Sequence, residues 1–299
     1  MHHKNGQINI VLHDKRIKSE KRNEKHILNK GPFVHIEQEF SSFIGHERLK
    51  KIIKEIYATK IINEKRSAHG LLCQKQVLHM LFSGNPGTGK TTVARKLAKV
   101  YFDMNLLSKG HFIEVERADL VGEYIGQTAQ KTRALIQKSL GGILFIDEAY
   151  SLARGGEKDF GKEAIDTLVT HMENNHDDFV LILAGYPYEM DHFLSLNPGL
   201  KSRFPIRLDF QDFTVNQLME IAKQMVTERE YELTREAEWK LRAYLLNKNQ
   251  EKECNFSNAR FIRNTIEQSV RMQAIRLICK EDFSTDDLIK LTEADLQID

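Results

Sequence analysis

Gly84-Asn85-Pro86-Gly87-Thr88-Gly89-Lys90-Thr91 lies between an apolar run, Val77 to Phe82, and a stretch of helical periodicity, Thr91 to Phe102. The octet fits G-x-x-x-x-G-K-[ST], and a strand before it with a helix after it is the context in which that pattern has a mechanism. Glycines let the backbone fold around phosphate groups so that its N–H groups point inward, and the helix N-terminus adds the positive end of a dipole. Lys90 then neutralises β- and γ-phosphate charge, and Thr91 offers a hydroxyl to Mg²⁺.

Working outward, apolar runs alternate with amphipathic stretches. The pattern predicts strands at Phe112 to Val115, Ile143 to Ile146, Phe179 to Ala184 and Ile206 to Phe210. Helices are predicted between them at Gln127 to Leu140 and Lys162 to Glu173. This is the rhythm of a parallel sheet covered on both faces, an α/β fold of the phosphate-loop class. From Thr214 the strands stop and helical periodicity takes over, ending in a long helix with Ile262, Ile266, Val270 and Leu277 on one face. The expected division is a charged leader at 1–39, an α/β nucleotide-binding unit at 40–211 and an all-helical lid at 212–299.

Ile143-Leu144-Phe145-Ile146 runs directly into Asp147-Glu148. Four apolar residues make a fully buried strand, so both carboxylates emerge at its carboxyl end, where open parallel sheets bind ligands. Asp147 is the expected Mg²⁺ partner, and Glu148 the expected base that polarises an attacking water.

Other positions are less decisive. Glu123-Tyr124-Ile125-Gly126 reads either as a mobile finger that grips polypeptide or as an aromatic tucked into the core, and spacing alone favours the core. Arg203, in the loop-like Asn197 to Phe204, reads on spacing as a solvated charge. Ser257-Asn258 resembles a helix N-cap, followed by Arg260 and Arg263; cations there oppose the helix dipole, which suggests that at least one serves a phosphate. Trp239, the single tryptophan, is expected in the core.

Composition sets bounds. At 299 residues the chain exceeds one small module. A mean hydropathy of −0.45 and 29% charged residues describe a globular protein with no bilayer span. Cys73, Cys254 and Cys279 have no disulfide-framework or zinc-site spacing and read as reduced thiols. With no signal-peptide core at the start, the expected compartment is the cytosol. The formal net charge of +2 lacks the basic excess typical of nucleic-acid binders. Residues 1–30 hold eight Lys/Arg against three Asp/Glu, which leaves the remainder slightly negative.

Several stretches together resemble the AAA+ ATPases, specifically the CbxX/CfqX group: residues 84–92, Ala118 to Thr128, Gly141 to Leu152, Leu183 to Tyr186, Asn197 to Arg203 and Asn258 to Asn264. The resemblance spans roughly residues 40 to 290. It implies Mg²⁺-dependent ATP hydrolysis in a ring, usually a homo-hexamer, with ATP at subunit interfaces. ATP contacts are implied at Ile44, Gly45, Asn85, Pro86, Gly87, Thr88, Gly89, Lys90, Thr91, Thr92, Asp147 and Arg260. Arg203 resembles the arginine finger that reaches a neighbour's γ-phosphate, and Arg260 the lid's sensor-2 arginine, with Arg263 the other candidate. Tyr124, Ile125 and Gly126 resemble a first pore loop and Arg154 to Phe160 a second, both facing a central channel and a protein client. One departure stands out. Many AAA+ proteins place Asn or Thr after the fourth strand as sensor 1, whereas Gly185-Tyr186 stand here.

The resemblance implies a protein remodeller acting in spore maturation, with a Rubisco-activase-like role as the alternative. Two readings from other classes are weaker. A nucleic-acid motor would want basic residues in the channel, and Tyr-Ile-Gly is uncharged; a nucleotide-dependent switch or scaffold has no use for Glu148 and Arg203.

Overall fold

Strands β1 (Met80–Gly84), β2 (Phe112–Val115), β3 (Ile143–Ile146), β4 (Val180–Gly185) and β5 (Ile206–Phe210) pair in parallel in the order β2-β3-β4-β1-β5. The structure is a computed structural model that describes residues 33–40, 44–45, 47–73, 76–124, 126–155, 159–250, 257–280 and 282–298. Residues 1–32 of the leader, Ile125, Cys254 and residues 156–158 lie outside the described residues.

Alternate strand residues feed opposite cores. Met80, Phe82, Phe145, Ile182 and Ala184 face helices α2 (Glu47–Ala68) and α3 (Lys90–Asp103), joined there by Leu97 and Tyr101. Leu81, Leu144, Ile146, Leu181 and Leu183 face the other side, against α5 (Gln127–Ser139), α6 (Gly161–Asn174) and α7 (Pro187–Leu196). With both faces covered, the central strands β3 and β4 are apolar throughout, which is why they are legible as continuous runs. Helix α1 (Val34–Glu39), expected within the leader, packs with this unit instead. Phe33, Ile36 and Phe40 are buried in its core, and Phe33 meets Tyr57 edge-on. The short α4 (Arg117–Leu120) follows β2 directly.

Arg203 sits at the end of a helix, α8 (Pro198–Arg203), rather than in the expected loop; Pro in the first turn pre-sets its backbone. Beyond β5, α9 (Val215–Thr227) opens with a reciprocal capping box between Thr214 and Gln217. Helices α10 (Arg235–Gln250), α11 (Asn258–Ile278) and α12 (Thr285–Ile289) complete the lid around Leu218, Ala222, Leu241, Ile262, Ile266 and Leu291. The lid is not all-helical. Residues Glu232–Leu233 (β6) pair in parallel with Lys290–Leu291 (β7), a ladder too short for periodicity to reveal. Trp239 is 71% exposed on α10, so the core expectation fails there. Among the described residues no helix is long and apolar enough to cross a membrane.

Candidate functional site: a phosphate-loop cavity closed by the lid

The turn between β1 and α3 holds Gly87 and Gly89 at φ of 72° and 92°, conformations that favour glycine. A Cβ on Gly87 would come within 2.0 Å of the Ser257 carbonyl oxygen, because the start of α11 rests on the loop. The Ala259 N–H donates to the Gly87 carbonyl at 3.1 Å. A cavity of about 230 Å³ opens beside this contact. Pro86, Gly87, Gly89, Lys90, Thr91 and Thr92 form one wall, Asp147 and Glu148 a second, and Ala259, Arg260 and Arg263 of the lid a third. Gly185 and Tyr186, at the end of β4, line the remainder.

Lys90 is buried, and its Nζ donates to the carbonyls of Gly84 (2.7 Å) and Asn85 (2.9 Å). Burial holds its pKa below the usual lysine value, against the pull of the Asp147 carboxylate, while the Arg260 charge lowers it further. The ammonium also lies 5.7 Å from the centre of the Tyr186 ring, so the residue that stands where Asn or Thr was expected is part of the cavity.

Glu148 adopts the left-handed conformation at φ 46°, and its N–H donates to Asp147 Oδ1 at 2.9 Å. That turn separates the two carboxylates: Asp147 is half-buried and Glu148 exposed. Tyr150, one turn on, is buried; its phenol is pushed up by burial and then by the Glu148 charge. An acidic wall, a basic lid wall, a backbone cradle and a hydroxyl facing one cavity fit a polyphosphate with its divalent cation. Thr91 and Asp147 would offer oxygen ligands to Mg²⁺ there.

The other expected contacts divide by what their side chains do. Asn85 donates to both carboxylate oxygens of Asp212 (3.0 and 2.9 Å), and Thr88, fully buried, donates to the Asn85 carbonyl at 2.8 Å. Both side chains are committed to loop shape, which leaves their backbone for a ligand. Ile44 and Gly45 lie off the phosphate cavity, beside the lid entrance. A Cβ on Gly45 would meet Gln217 Nε2 at 2.6 Å, with Phe213 at 3.6 Å.

Arg203 lies away from this cavity. Its Nε and Nη2 both donate to Glu173 Oε1 on α6, and Nη1 donates to the Gly199 carbonyl at 2.6 Å. Tyr124 is 67% exposed, which overturns the core preference from spacing. Gly126 follows at φ 83° with open space around its Cα, and Arg154 stacks over the Tyr150 ring at 4.6 Å.

Asn258 escaped sequence reading except as a cap neighbour. It is fully buried at φ 47°, its Oδ1 accepts from the Phe213 N–H (2.9 Å), and its Nδ2 donates to Asp212 Oδ1 (2.8 Å) and the Pro86 carbonyl (3.3 Å). One side chain therefore joins the phosphate loop, the β5 exit and the lid. Its sequence signals were an Asn beside a helix start, where left-handed φ is tolerated, and its place at the head of the family-like stretch Asn258 to Asn264.

A model of the ATPase family associated with various cellular activities (AAA) matches residues 80–212, and one of the AAA lid domain matches residues 214–299. The fold and the cavity are thus those of a phosphate-loop ATPase with a helical lid, and the chain belongs to the AAA+ ATPase family. Among its relatives is "Stage V sporulation protein K" of Bacillus subtilis (strain 168), 60% identical over 304 aligned positions that cover 98% of this chain and 94% of that protein. "Protein CbbX" of Cereibacter sphaeroides is 46% identical over 78% of this chain and 75% of its own length. The chloroplastic "Ribulose bisphosphate carboxylase/oxygenase activase" of Cyanidioschyzon merolae (strain NIES-3377 / 10D) is 44% identical over 85% and 84%. The expected kinship with the CbxX/CfqX group is borne out.

Proposed function

We propose that this chain is an Mg²⁺-dependent ATP hydrolase that assembles as a homo-hexameric ring in the cytosol and converts hydrolysis into pulling on a protein client during spore maturation. The observation that carries the reading is the meeting of Lys90, Thr91, Asp147, Glu148 and two lid arginines around one cavity. On this reading residues 40–211 hold the nucleotide and 212–299 form the lid. The near full-length relationship to a protein named for stage V of sporulation supports the biological setting.

Each side chain has a task. Lys90 exchanges its loop carbonyls for phosphate oxygens when nucleotide enters. Thr91 and Asp147 would hold Mg²⁺, which would supply charge neutralisation to the nucleotide phosphates. Glu148 accepts a proton from the attacking water. Arg260, Arg263 or both sense the phosphates from the lid, and Arg203 completes the site of a neighbouring subunit. Tyr124, with Ile125 and Gly126, grips the client by apolar contact that reads no sequence.

Glu148→Gln is expected to bind ATP with Mg²⁺ and lose about 10² to 10⁴ in turnover, the usual acid–base contribution. Wild-type turnover in that variant overturns the assignment. A Glu148→Gln ring held in ATP also captures the client from sporulating cells. The activase-like reading draws on the relative of that name; ATPase stimulation by inhibited ribulose bisphosphate carboxylase/oxygenase would establish it instead.

A further inference from the structure

Arg117 occupies the first position of α4, immediately beyond β2, and its guanidinium makes three contacts that no part of the ATP site uses. Nη2 alone donates to both carboxylate oxygens of Asp159 (2.6 and 2.7 Å), and Nη1 donates to the Ser151 carbonyl at 2.5 Å. Together the contacts reach two different segments. Ser151 lies in the 3₁₀ turn Ala149–Ala153 that begins directly after Glu148. Asp159 lies in the Arg154–Phe160 segment and caps α6 through the Gly161 N–H at 2.8 Å. Helix α4 itself runs into the segment that bears Tyr124, and its last turn is tied to α5 by Thr132 and Lys131.

The junction is tight as well as charged. A Cβ on Gly161 would come within 2.0 Å of the Leu152 carbonyl, so the turn after Glu148 and the start of α6 are in van der Waals contact. The Asp159 side chain is only 12% exposed, which shields the pair from solvent screening. The rigid guanidinium holds the Asp159 carboxylate at Nη2 and the Ser151 carbonyl at Nη1, two acceptors at a fixed angle that a lysine ammonium would not impose. A displacement of the turn beyond Glu148 would therefore act on Arg117 and Asp159 together, the described residues that border the two loop segments.

We propose that Arg117, through Asp159, is the positioning residue that couples the nucleotide state at Glu148 to the two client-facing loops. The proposal rests on the Tyr124 reading only for what the loop grips, not for whether it moves. By linkage, a bias of the nucleotide state on the loop equals the bias of an occupied loop on nucleotide affinity. Arg117 touches no nucleotide contact, so its loss is expected to break coupling while binding persists.

The test is a loop reporter in the full-length chain. Tyr124→Trp in a Trp239→Phe background makes the loop the single tryptophan site, read by acrylamide quenching in Mg²⁺ with ADP or with a non-hydrolysable ATP analogue. The expected result is a difference between the two nucleotides that falls about fivefold or more in Arg117→Ala, the lower end of typical couplings, with nucleotide affinity unchanged. The charge swap Arg117→Asp with Asp159→Arg is expected to restore part of it. An undiminished difference in Arg117→Ala, an affinity loss in parallel, or no difference in the parent reporter each overturns the proposal. Should Arg117→Ala fail to fold, the isosteric Asp159→Asn removes the ionic half of the pair, and an undiminished difference there overturns it equally. Client handling by Tyr124→Ala is measured separately: normal handling sinks the gripping role and leaves the coupling result standing.

Discussion

Arg203 Nε donates to Glu173 Oε1 at 3.0 Å, so the arginine proposed to serve a neighbour is held by a carboxylate of its own chain. Glu173 is more than half exposed, and pairs of that kind contribute about 0 to 1 kcal/mol. On the proposed reading, a γ-phosphate from an adjacent subunit is expected to outcompete it. Arg203→Ala is expected to cost about 10³ to 10⁵ in turnover, the range for a finger supplied in trans, whereas Glu173→Gln changes turnover less than about tenfold. Steady-state ATPase assays separate the two, and mixing Arg203→Ala with Lys90→Ala subunits should recover activity. Failure to recover it, with a monomeric mass in ATP, counts against a shared site.

Burial of the Lys90 ammonium disfavours its charged form, so this residue costs folding stability at neutral pH. Lys90→Met is expected to melt at the same temperature as wild type or higher without nucleotide. Mg²⁺-ATP at a hundredfold excess over Kd stabilises the wild type by about 2.7 kcal/mol and leaves the variant unchanged. Thermal melts with and without nucleotide provide the check; equal stabilisation of the two proteins would falsify the placement of Lys90.

Removing the Asn258 side chain strands the Phe213 N–H and forces alanine into φ 47°. Together these are expected to cost about 2 to 4 kcal/mol. Asn258→Gly should be milder by about 1 kcal/mol, because glycine accepts that φ. Both are expected to weaken ATP binding, since the lid no longer rests on Pro86. Urea unfolding and nucleotide titration on the pair measure the two effects, and Ala equal to Gly would show that backbone strain is unimportant.

His79 is buried between the rings of Phe179 and Phe204, and its Nδ1 accepts the Leu181 N–H at 3.0 Å. Burial pushes its pKa from 6.5 down to about 4. The unfolded chain therefore binds the proton first as pH falls, and stability is lost progressively from about pH 6.5 to about pH 4. The loss is expected to reach about 3 kcal/mol at the lower end. His79→Gln keeps an acceptor but cannot titrate, so its stability profile should be flatter across that window; an unchanged slope assigns the acid sensitivity elsewhere.

Tyr124 is two-thirds exposed, so Tyr124→Ala is expected to shift stability by less than about 0.5 kcal/mol. Client remodelling and client-stimulated ATPase should nevertheless disappear while basal turnover remains. A large cooperative loss of stability would instead mark the aromatic as structural.

Much of the α/β unit was readable from local pattern. The strand Ile143–Ile146 coincides with an unbroken apolar run because a central strand covered on both faces demands one, whereas the edge strands Phe112–Val115 and Ile206–Phe210 were legible although Glu114, Arg207 and Asp209 interrupt them. The short β6–β7 ladder and the exposure of Trp239 were not readable, since two residues carry no periodicity and an indole on an amphipathic helix reads as core from its type alone.

Local order thus came from the sequence by itself: glycine spacing dictates the phosphate-loop turn, and Ile143 to Glu148 dictates two carboxylates at a strand end. Which groups then meet was decided only in three dimensions. Asn258 reaches Pro86 across 172 positions, and Arg117 reaches Asp159 across 42. Such contacts leave no periodic trace, because a hydrogen bond constrains two side-chain tips, whereas periodicity records only which face of an element is dry.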